Sequence, residues 1–591
     1  MGVIRNILTW SVASIPLFSQ PAGSLFHPYR QPSVAPPDLT NSSRIENLVR
    51  AGNLYLSLQD TIALALENNL DIAIQRYGPL QAESDLKRAQ AGGPLRGGSS
   101  GPAIPSLDPV IQGQTSYGHT TAPQTSSFLT GASTLVSRSK TANFSISQNW
   151  LTGTSGSLTF NNGTLAQNSL TNNFNPYTSS SLDVLITQHL LQGFGTALNS
   201  REIRVARNNI DASRFNFELQ VINTIAAVST LYWDLVSFNE QVKVAQSAFA
   251  AAHKLYEDNR KQVDAGYLAP IAVVQAEAEV ANRQQDLTIA ETNVSQQETV
   301  LKNALSKNGT ASPSLADARI VTTDHIQVPA IEPVQPVQDL IALALENRPD
   351  LKSSRVNLDS SRIRLAGSRN ALLPTVDAFA EATNHGLAGQ VNSIAGSPGA
   401  GGNPFYQTGT PDPYFIGGYG TALAQLFRRN FPDYRVGISL TIPLRNRAAQ
   451  ADYVRDHLDY YQSEMQLRKQ VNQIRVDVQN GVIALRQSHA RYQAAVQSRI
   501  LEEQTLDAEE KKYQAGASTV YNVIQIQRDL ANARGNEVTA ESSYIRARTN
   551  LDTILGATLQ VNHVSIEEAR HGAVARPPDP IPAAADNGRT N

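Results

Sequence analysis

Residues Ile62-Ala-Leu-Ala-Leu-Glu-Asn68 recur unchanged as Ile341-Ala-Leu-Ala-Leu-Glu-Asn347, and this repetition decides the fold. Each copy follows a Gln-Asp pair, Gln59-Asp60 and Gln338-Asp339, able to open a helix. Working outward, residues 221–306 align without gaps onto 471–556. In the first copy Val221, Val228, Leu235, Val242, Phe249, Tyr256 and Val263 are spaced by sevens. In the second, Val471, Val478, Leu485, Tyr492, Leu506 and Tyr513 keep those positions, and Arg499 alone breaks the series. A spacing of seven held this long marks a coiled-coil seam. A single generic amphipathic helix does not explain why two distant segments share its phase, so the chain is an internal duplication.

Each long helix ends at a paired break, Ala265-Gly266-Tyr267-Leu268 and Ala515-Gly516-Ala517-Ser518, where glycine can take the left-handed conformation of a helix end. A second seam restarts at once through Val273, Val280, Leu287, Val294 and Leu301, echoed by Val523, Leu530, Tyr544 and Leu551. Two seamed helices across a short break form an antiparallel hairpin with its tip at the break. The spacing predicts a first repeat over 58–307, with helices 58–91, 197–264 and 268–306 and strands within 109–192. A linker at 308–336 leads to a second repeat over 337–557, with helices 337–372, 445–515 and 518–556 and strands near 374–382 and 433–443. Runs of roughly 70 residues reach close to 100 Å, and two half-length helices stacked end to end would match one of them.

Opposite the tips the period changes to two. From Tyr434 to Ile442 the even positions are apolar and the odd ones are Arg, Gly, Ser and Thr. Leu182, Val184 and Ile186 alternate likewise, as do Phe144, Ile146 and Trp150, and Leu158 with Phe160. One apolar and one polar face fits a barrel wall with lipid outside and water inside. Each half has too few strands to close a barrel, and open edges do not occur in lipid, so several chains must share one barrel. The Gly, Pro and Asn-rich stretch 383–432 and the Asn/Thr/Ser tract 161–180 read as exposed loops at the barrel's outer end. The glycine run at 396–402 lacks the Lys-Ser/Thr of a P-loop. An extra strand–turn–strand surrounds Leu151-Thr-Gly-Thr-Ser-Gly156, either within the wall or as a surface extension.

The bulk numbers fit an elongated envelope protein. By length, 591 residues imply several domains, but long helices bury surface against neighbours and not in a globular core. A formal charge of −2 gives no steering towards nucleic acid, and the absence of cysteine excludes disulfides, thiolate metal sites and cysteine nucleophiles. Residues 1–22, with Arg5 ahead of an apolar run from Ile7 to Phe18, read as a signal peptide, followed by an N-terminal extension at 23–57. No other stretch approaches the 18 apolar residues of a membrane-spanning helix, and 558–591 is a polar C-terminal tail. The ten histidines are scattered without ligand spacing, and Glu502-Glu503 and Glu509-Glu510 lie on charged helix surfaces, so neither an enzyme nor a cofactor or metal site is expected.

These features, in order and twice over, resemble the TolC-like outer-membrane efflux protein family across residues 54–557. The carriers are Ala65–Asn68 and Ala344–Asn347 at the helix openings, Leu231-Tyr-Trp-Asp-Leu235, Leu373-Pro374, Leu440-Thr-Ile-Pro-Leu444 and the two glycine tips. The resemblance implies a mainly α fold with a membrane β portion: duplicated long antiparallel coiled-coil hairpins forming an α-barrel, plus strands contributing to a shared trimeric β-barrel. It further implies a homotrimer in the bacterial outer membrane with its helices in the periplasm. Such a channel would dock onto a periplasmic adaptor (membrane fusion) protein and an inner-membrane RND or ABC transporter, for efflux or type I secretion. By this resemblance Gly266, Tyr267, Leu268, Gly516, Ala517 and Ser518 would contact the adaptor. The family's acidic constriction, six and nine positions beyond the second tip glycine, is replaced here by Asn522 and Gln525, with Ala272 in the first half. A neutral constriction with weak cation selectivity is expected. His189 stands where the pattern expects the proline matched by Pro443, and no role is assigned to it. A trimeric coiled-coil adhesin is the rival reading, but it should show one unbroken heptad stalk and no duplicated hairpin.

Overall fold

In the computed structural model residues 31–94, 101–126, 130–311, 313–333, 335–394 and 411–580 are described, with residues 29 and 128. The expected leader at 1–22 and the glycine run at 396–402 lie outside the described residues. The first half holds α1 (Arg44–Leu48), β1 (Val49–Arg50), β2 (Asn53–Leu56), α2 (Leu58–Asn68), α3 (Leu70–Gln75) and α4 (Tyr77–Gln90). Then come β3 (Val110–Pro123), β4 (Thr134–Asn149), β5 (Thr154–Gln167), β6 (Phe174–His189), α5 (Thr196–Asn199), α6 (Arg201–Asp264) and α7 (Ile271–Ala304). After α8 (Pro313–Ala316) and β7 (Arg319–Thr322), the second half holds α9 (Val337–Asn347), α10 (Pro349–Ala371), β8 (Thr375–Val391), α11 (Tyr419–Phe427) and β9 (Pro432–Thr441). It continues with α12 (Arg447–Gln514), α13 (Val520–Leu555), α14 (Thr558–Val561) and α15 (Ile566–His571).

The 64 and 68 residues of α6 and α12 make a stem about 100 Å long. Along α6, α7 packs towards the tip and α4 and α10 towards the strands; α12 packs on α13, then on α9 and α10. None of the seven first-copy seam residues is exposed, and Val221, Val228 and Leu235 are fully buried. Arg499, the break in the second seam, stays half-buried because it pairs with Glu537 on α13 and with Glu503 at 3.0 Å. One 18-residue window of α6 is apolar enough to cross a membrane, contrary to the sequence reading, but 56% of it is buried inside the protein.

Two expected continuous helices are broken for local reasons. At Asn69 the backbone is extended, and its side chain accepts from the Asp71 amide at 2.9 Å, ending α2 and capping α3. At Arg348 the residue ahead of Pro349 is extended, as a pre-proline residue prefers, and Pro349 opens α10. The stretches read as extension, linker and tail are also structured. β1, β2 and β7 form a small sheet in which β2 and β7 run parallel, and it packs with Tyr232, Leu235 and Val294 in one core. Burial of Tyr232 is matched by its hydroxyl donating to Asp324 Oδ2 at 2.9 Å and lying 3.1 Å from the Leu56 carbonyl. Ala569 of α15 packs with Ile62, Leu66 and Phe217, and the Ala569 carbonyl accepts from Arg76 Nε at 2.8 Å.

The remaining strands make one antiparallel sheet, β3-β4-β5-β6-β8-β9. The tract 161–180, expected to be loop, is mostly strand, and β8 runs nine residues past its expected end at 382, with α11 between it and β9. The tract gives no period-two signal because its polar residues fall on both faces, as Asn161 opposite Ser181 and Asn162 opposite Ser180 show, and pairing with the neighbouring strand makes it strand. One row crosses all six strands as Ile111, Ile146, Leu158, Val184, Ala382 and Tyr434. The row beside it, one residue along, is Gln112, Ser145, Thr159, Asp183, Thr383 and Asp433. Adjacent rows face opposite sides, so at the level of these rows one side is apolar and the other polar, while farther from the helices the apolar side gives way to Lys140, Thr164, Ser180 and Asn384. The uncovered apolar side is widely exposed in the single chain: Tyr434 73%, Val436 83%, Ile438 71%.

Candidate functional site

Both hairpins turn on the same backbone device. At the first tip Gly266 has φ +77°, its amide donates to the Val263 carbonyl at 2.9 Å, and the Tyr267 amide donates to Gln262 at 2.8 Å. At the second tip Gly516 has φ +74°, with Gly516 donating to Tyr513 at 3.0 Å and Ala517 to Lys512 at 2.9 Å. These nested bonds satisfy carbonyls the helix end leaves free, and the left-handed residue in their middle favours glycine. Beyond the glycine the tips differ. Tyr267 is 84% exposed, whereas Ser518 is half-buried because its hydroxyl donates to Glu509 Oε1. Glu509 also holds Lys512 at 3.1 Å, and these contacts, the Ser518 hydroxyl first, hold its carboxyl below the usual range. Ser518 carries no charge of its own, but the carboxylate of Glu509, nine residues back on α12, reaches it.

The two tips are joined to each other. Leu255, Leu268, Ala272, Tyr513, Val520 and Ile524 make a small apolar cluster across the hairpins, which gives Ala272 a packing role. Above it the Tyr513 hydroxyl donates to Asn259 Oδ1 at 3.0 Å. Glu279 is nearly inaccessible and bridges Arg283 of its own helix at 2.8 Å to Arg528 Nε of the other hairpin at 2.9 Å. A carboxylate so enclosed is stable only with both cations present. Farther up the stem Arg534 pairs with Glu503 at 2.9 Å and Arg546 Nε with Asp234 at 2.7 Å, the latter again between hairpins.

Sequence reasoning missed Glu279 and Arg528. In the alignment of the halves they face Asp529 and Ala278, so the tie belongs to one half-pair only, and a search for repeated residues passes over it. Asn522 and Gln525 are exposed on the first turns of α13, where Thr519 caps the helix through the Asn522 amide. The Gln525 amide reaches Asp529 Oδ1 at 3.4 Å, so an acid stands one turn above the neutral pair. His189 Nδ1 lies 2.6 Å from Asp377 Oδ1 across β6 and β8 at the base of the sheet, which supplies the structural role the sequence left open. Among the described residues no group of three His, Asp or Glu is placed to hold a metal ion. The arrangement is mechanical: two capped tips held together by one buried ionic tie and a small apolar contact.

A family model described as outer membrane efflux protein matches residues 151–307 and 340–557. Solved structures share the fold over nearly their whole length. The Campylobacter jejuni CmeC outer membrane channel is 14% identical, with a TM-score of 0.56, covering 92% of this chain and 98% of that one. The Vibrio cholerae outer membrane protein VceC is 15% identical, with a TM-score of 0.55, covering 84% and 96%. The open state of the Neisseria gonorrhoeae MtrE outer membrane channel is 15% identical, with a TM-score of 0.51, covering 89% and 98%. A search of curated proteins finds no match.

Proposed function

We propose how this chain works from the premise that it belongs to the outer membrane efflux protein family, a family of channels. The observation that carries the proposal is the six-stranded sheet, apolar on one side and polar on the other, set on a helical stem about 100 Å long. Three copies assemble so that the sheets close in the outer membrane and the stems form a periplasmic tunnel. Substrates pass without chemistry, driven by a partner pump.

Gly266, Tyr267, Leu268, Gly516, Ala517 and Ser518 are the surface offered to a periplasmic adaptor, itself bound to an inner-membrane RND or ABC transporter. Their support is position and exposure: both tips lie at the end away from the strands, and Tyr267 stands in solvent. Asn522 and Gln525 line the narrowest point, and Asp529 beside Gln525 adds a modest preference for cations. Opening requires the tips to part, and the Glu279–Arg528 tie and the Tyr513–Asn259 bond resist that motion.

Outer-membrane fractions should yield trimers that dissociate on heating, and the purified protein should conduct in planar bilayers with weak cation selectivity. A soluble monomer would refute the reading. Arg528→Ala should raise the open fraction of the channel; unchanged conductance would remove the tie from the gate.

A further inference from the structure

The sheet holds more strands than the duplication requires. In each half one strand follows the short helices (β3 after α4, β8 after α10) and one precedes the long helix (β6 before α6, β9 before α12). The hairpin β4–β5 has no counterpart in the second half. It is nevertheless part of the wall. Phe144, Ile146, Leu158 and Phe160 continue the apolar side of β6, and Ser145 and Thr159 continue the polar side. Its turn is fixed at the helical end of the sheet, where the His189 amide donates to the Gly153 carbonyl at 3.0 Å and Asn199 Nδ2 to the Leu151 carbonyl at 3.1 Å. Gly153 has φ +84°, and a Cβ there would come within 2.4 Å of the Gly193 carbonyl, so the turn is seated and not a loose extension.

The outer edges of β3 and β9 are unpaired among the described residues. β3 leads away from the helices and β9 leads back to them, so the two edges are antiparallel and meet at the same height. Unpaired backbone groups in hydrocarbon cost several kcal/mol each, which forbids leaving these edges open. We infer that β9 of one copy pairs with β3 of the next, and that the β4–β5 hairpin widens the wall, giving an eighteen-stranded barrel from three six-stranded sheets. The inference rests on the trimer proposed above. With strands about 4.8 Å apart and tilted about 40°, such a barrel is roughly 36 Å across between backbones, against roughly 24 Å for two strands per half. The polar side of the added hairpin carries Thr141, Asn143, Ser145 and Thr159, all neutral. The hairpin therefore widens a hydrated bore without adding charge to it, the charged groups of the polar side (Asp183, Asp377, Glu381, Asp433 and Arg435) lying on β6, β8 and β9, and selection by size falls to the tips and not to the barrel.

The chain has no cysteine, so introduced pairs report without background. Ser439→Cys on β9 is combined in turn with Gln112→Cys, Gln114→Cys or Ser116→Cys on β3, and with Ser157→Cys or Thr159→Cys on β5. Oxidation in membranes should convert most of one β3 combination into covalent dimers and trimers, with none from the β5 combinations. Images of the trimer should show eighteen strands and a barrel near 36 Å. A trimer that cross-links through β5, or at no β3 position, or that shows a narrower barrel, overturns the inference alone. A parent protein that is not trimeric overturns the assembly on which it rests.

Discussion

Replacing Glu541 by Gln should stabilise the protein at pH 8 and leave it unchanged near pH 4.5. Glu541 lies on α13, and burial above all, then the charges of Glu537 and Glu240, push its carboxyl from 4.5 up to about 7. Of its neighbours, Glu537 is engaged by Arg499, Glu240 by Lys243 at 2.7 Å, and Tyr492 of α12 is itself raised, by burial first and then by Glu541. Because the folded form holds this proton more tightly than the unfolded chain, its contribution is fully present below about 4.5 and is lost as pH rises through about 7. At 1.36 kcal/mol per unit the raw shift is worth about 3 kcal/mol, and partial exposure with solvent screening reduces it to about 1 kcal/mol. Asp552, pushed up to about 6 chiefly by burial, titrates in the same window, so the wild-type slope reports both groups. Only the difference between variant and wild type isolates Glu541. Denaturant unfolding at pH 4.5 and pH 8 measures it. A gain of equal size at both values, or a loss at pH 8, would refute the electrostatic reasoning.

Gly516→Val should strain the second tip by about 1–2 kcal/mol, since φ +74° disfavours a branched side chain although no atom lies within 4 Å of its Cβ. Hydrogen exchange should quicken over 511–520 while the upper stem stays protected. Tyr232→Phe removes the hydroxyl between Asp324 and the Leu56 carbonyl and should cost about 1–3 kcal/mol in denaturant unfolding. Ile438→Lys, on the apolar side of β9, should lower membrane assembly, by about 2–4 kcal/mol if it sits at mid-bilayer, whereas Ser439→Lys next to it should assemble normally. Refolding yields into vesicles compare the two, and equal yields would contradict the assignment of faces.

The heptads, the two tip glycines and the alternation in β9 were legible because each depends on local period or on backbone conformation at one residue. Where local signals faded, the sequence reading stopped short. The hydroxyl-rich residues 161–180 look like loop in isolation and are mostly strand because their neighbours complete a wall. The Glu279–Arg528 tie joins residues that no repeat pairs, and only the packing of the two hairpins brings them together.

The heptapeptide Ile-Ala-Leu-Ala-Leu-Glu-Asn divides most plainly what the sequence determined from what the tertiary structure decided. In both places it is helical and ends before an extended residue, as its own residues dictate. In the first copy all seven residues are buried, under the small sheet and under α15. In the second only Ile341 and Ala344 are buried, and Leu343 faces solvent in the single chain. A similar exchange occurs in the two cores. Tyr232 shares its core with Val294, while the matching positions Val482 and Tyr544 hold the large residue on the opposite helix. The seam requires that the summed volume fill the gap, and which helix supplies it is free. Period and phase are properties of one helix and can be read from one segment. Burial and pairing belong to two surfaces at once, and only the folded chain determines which surfaces meet.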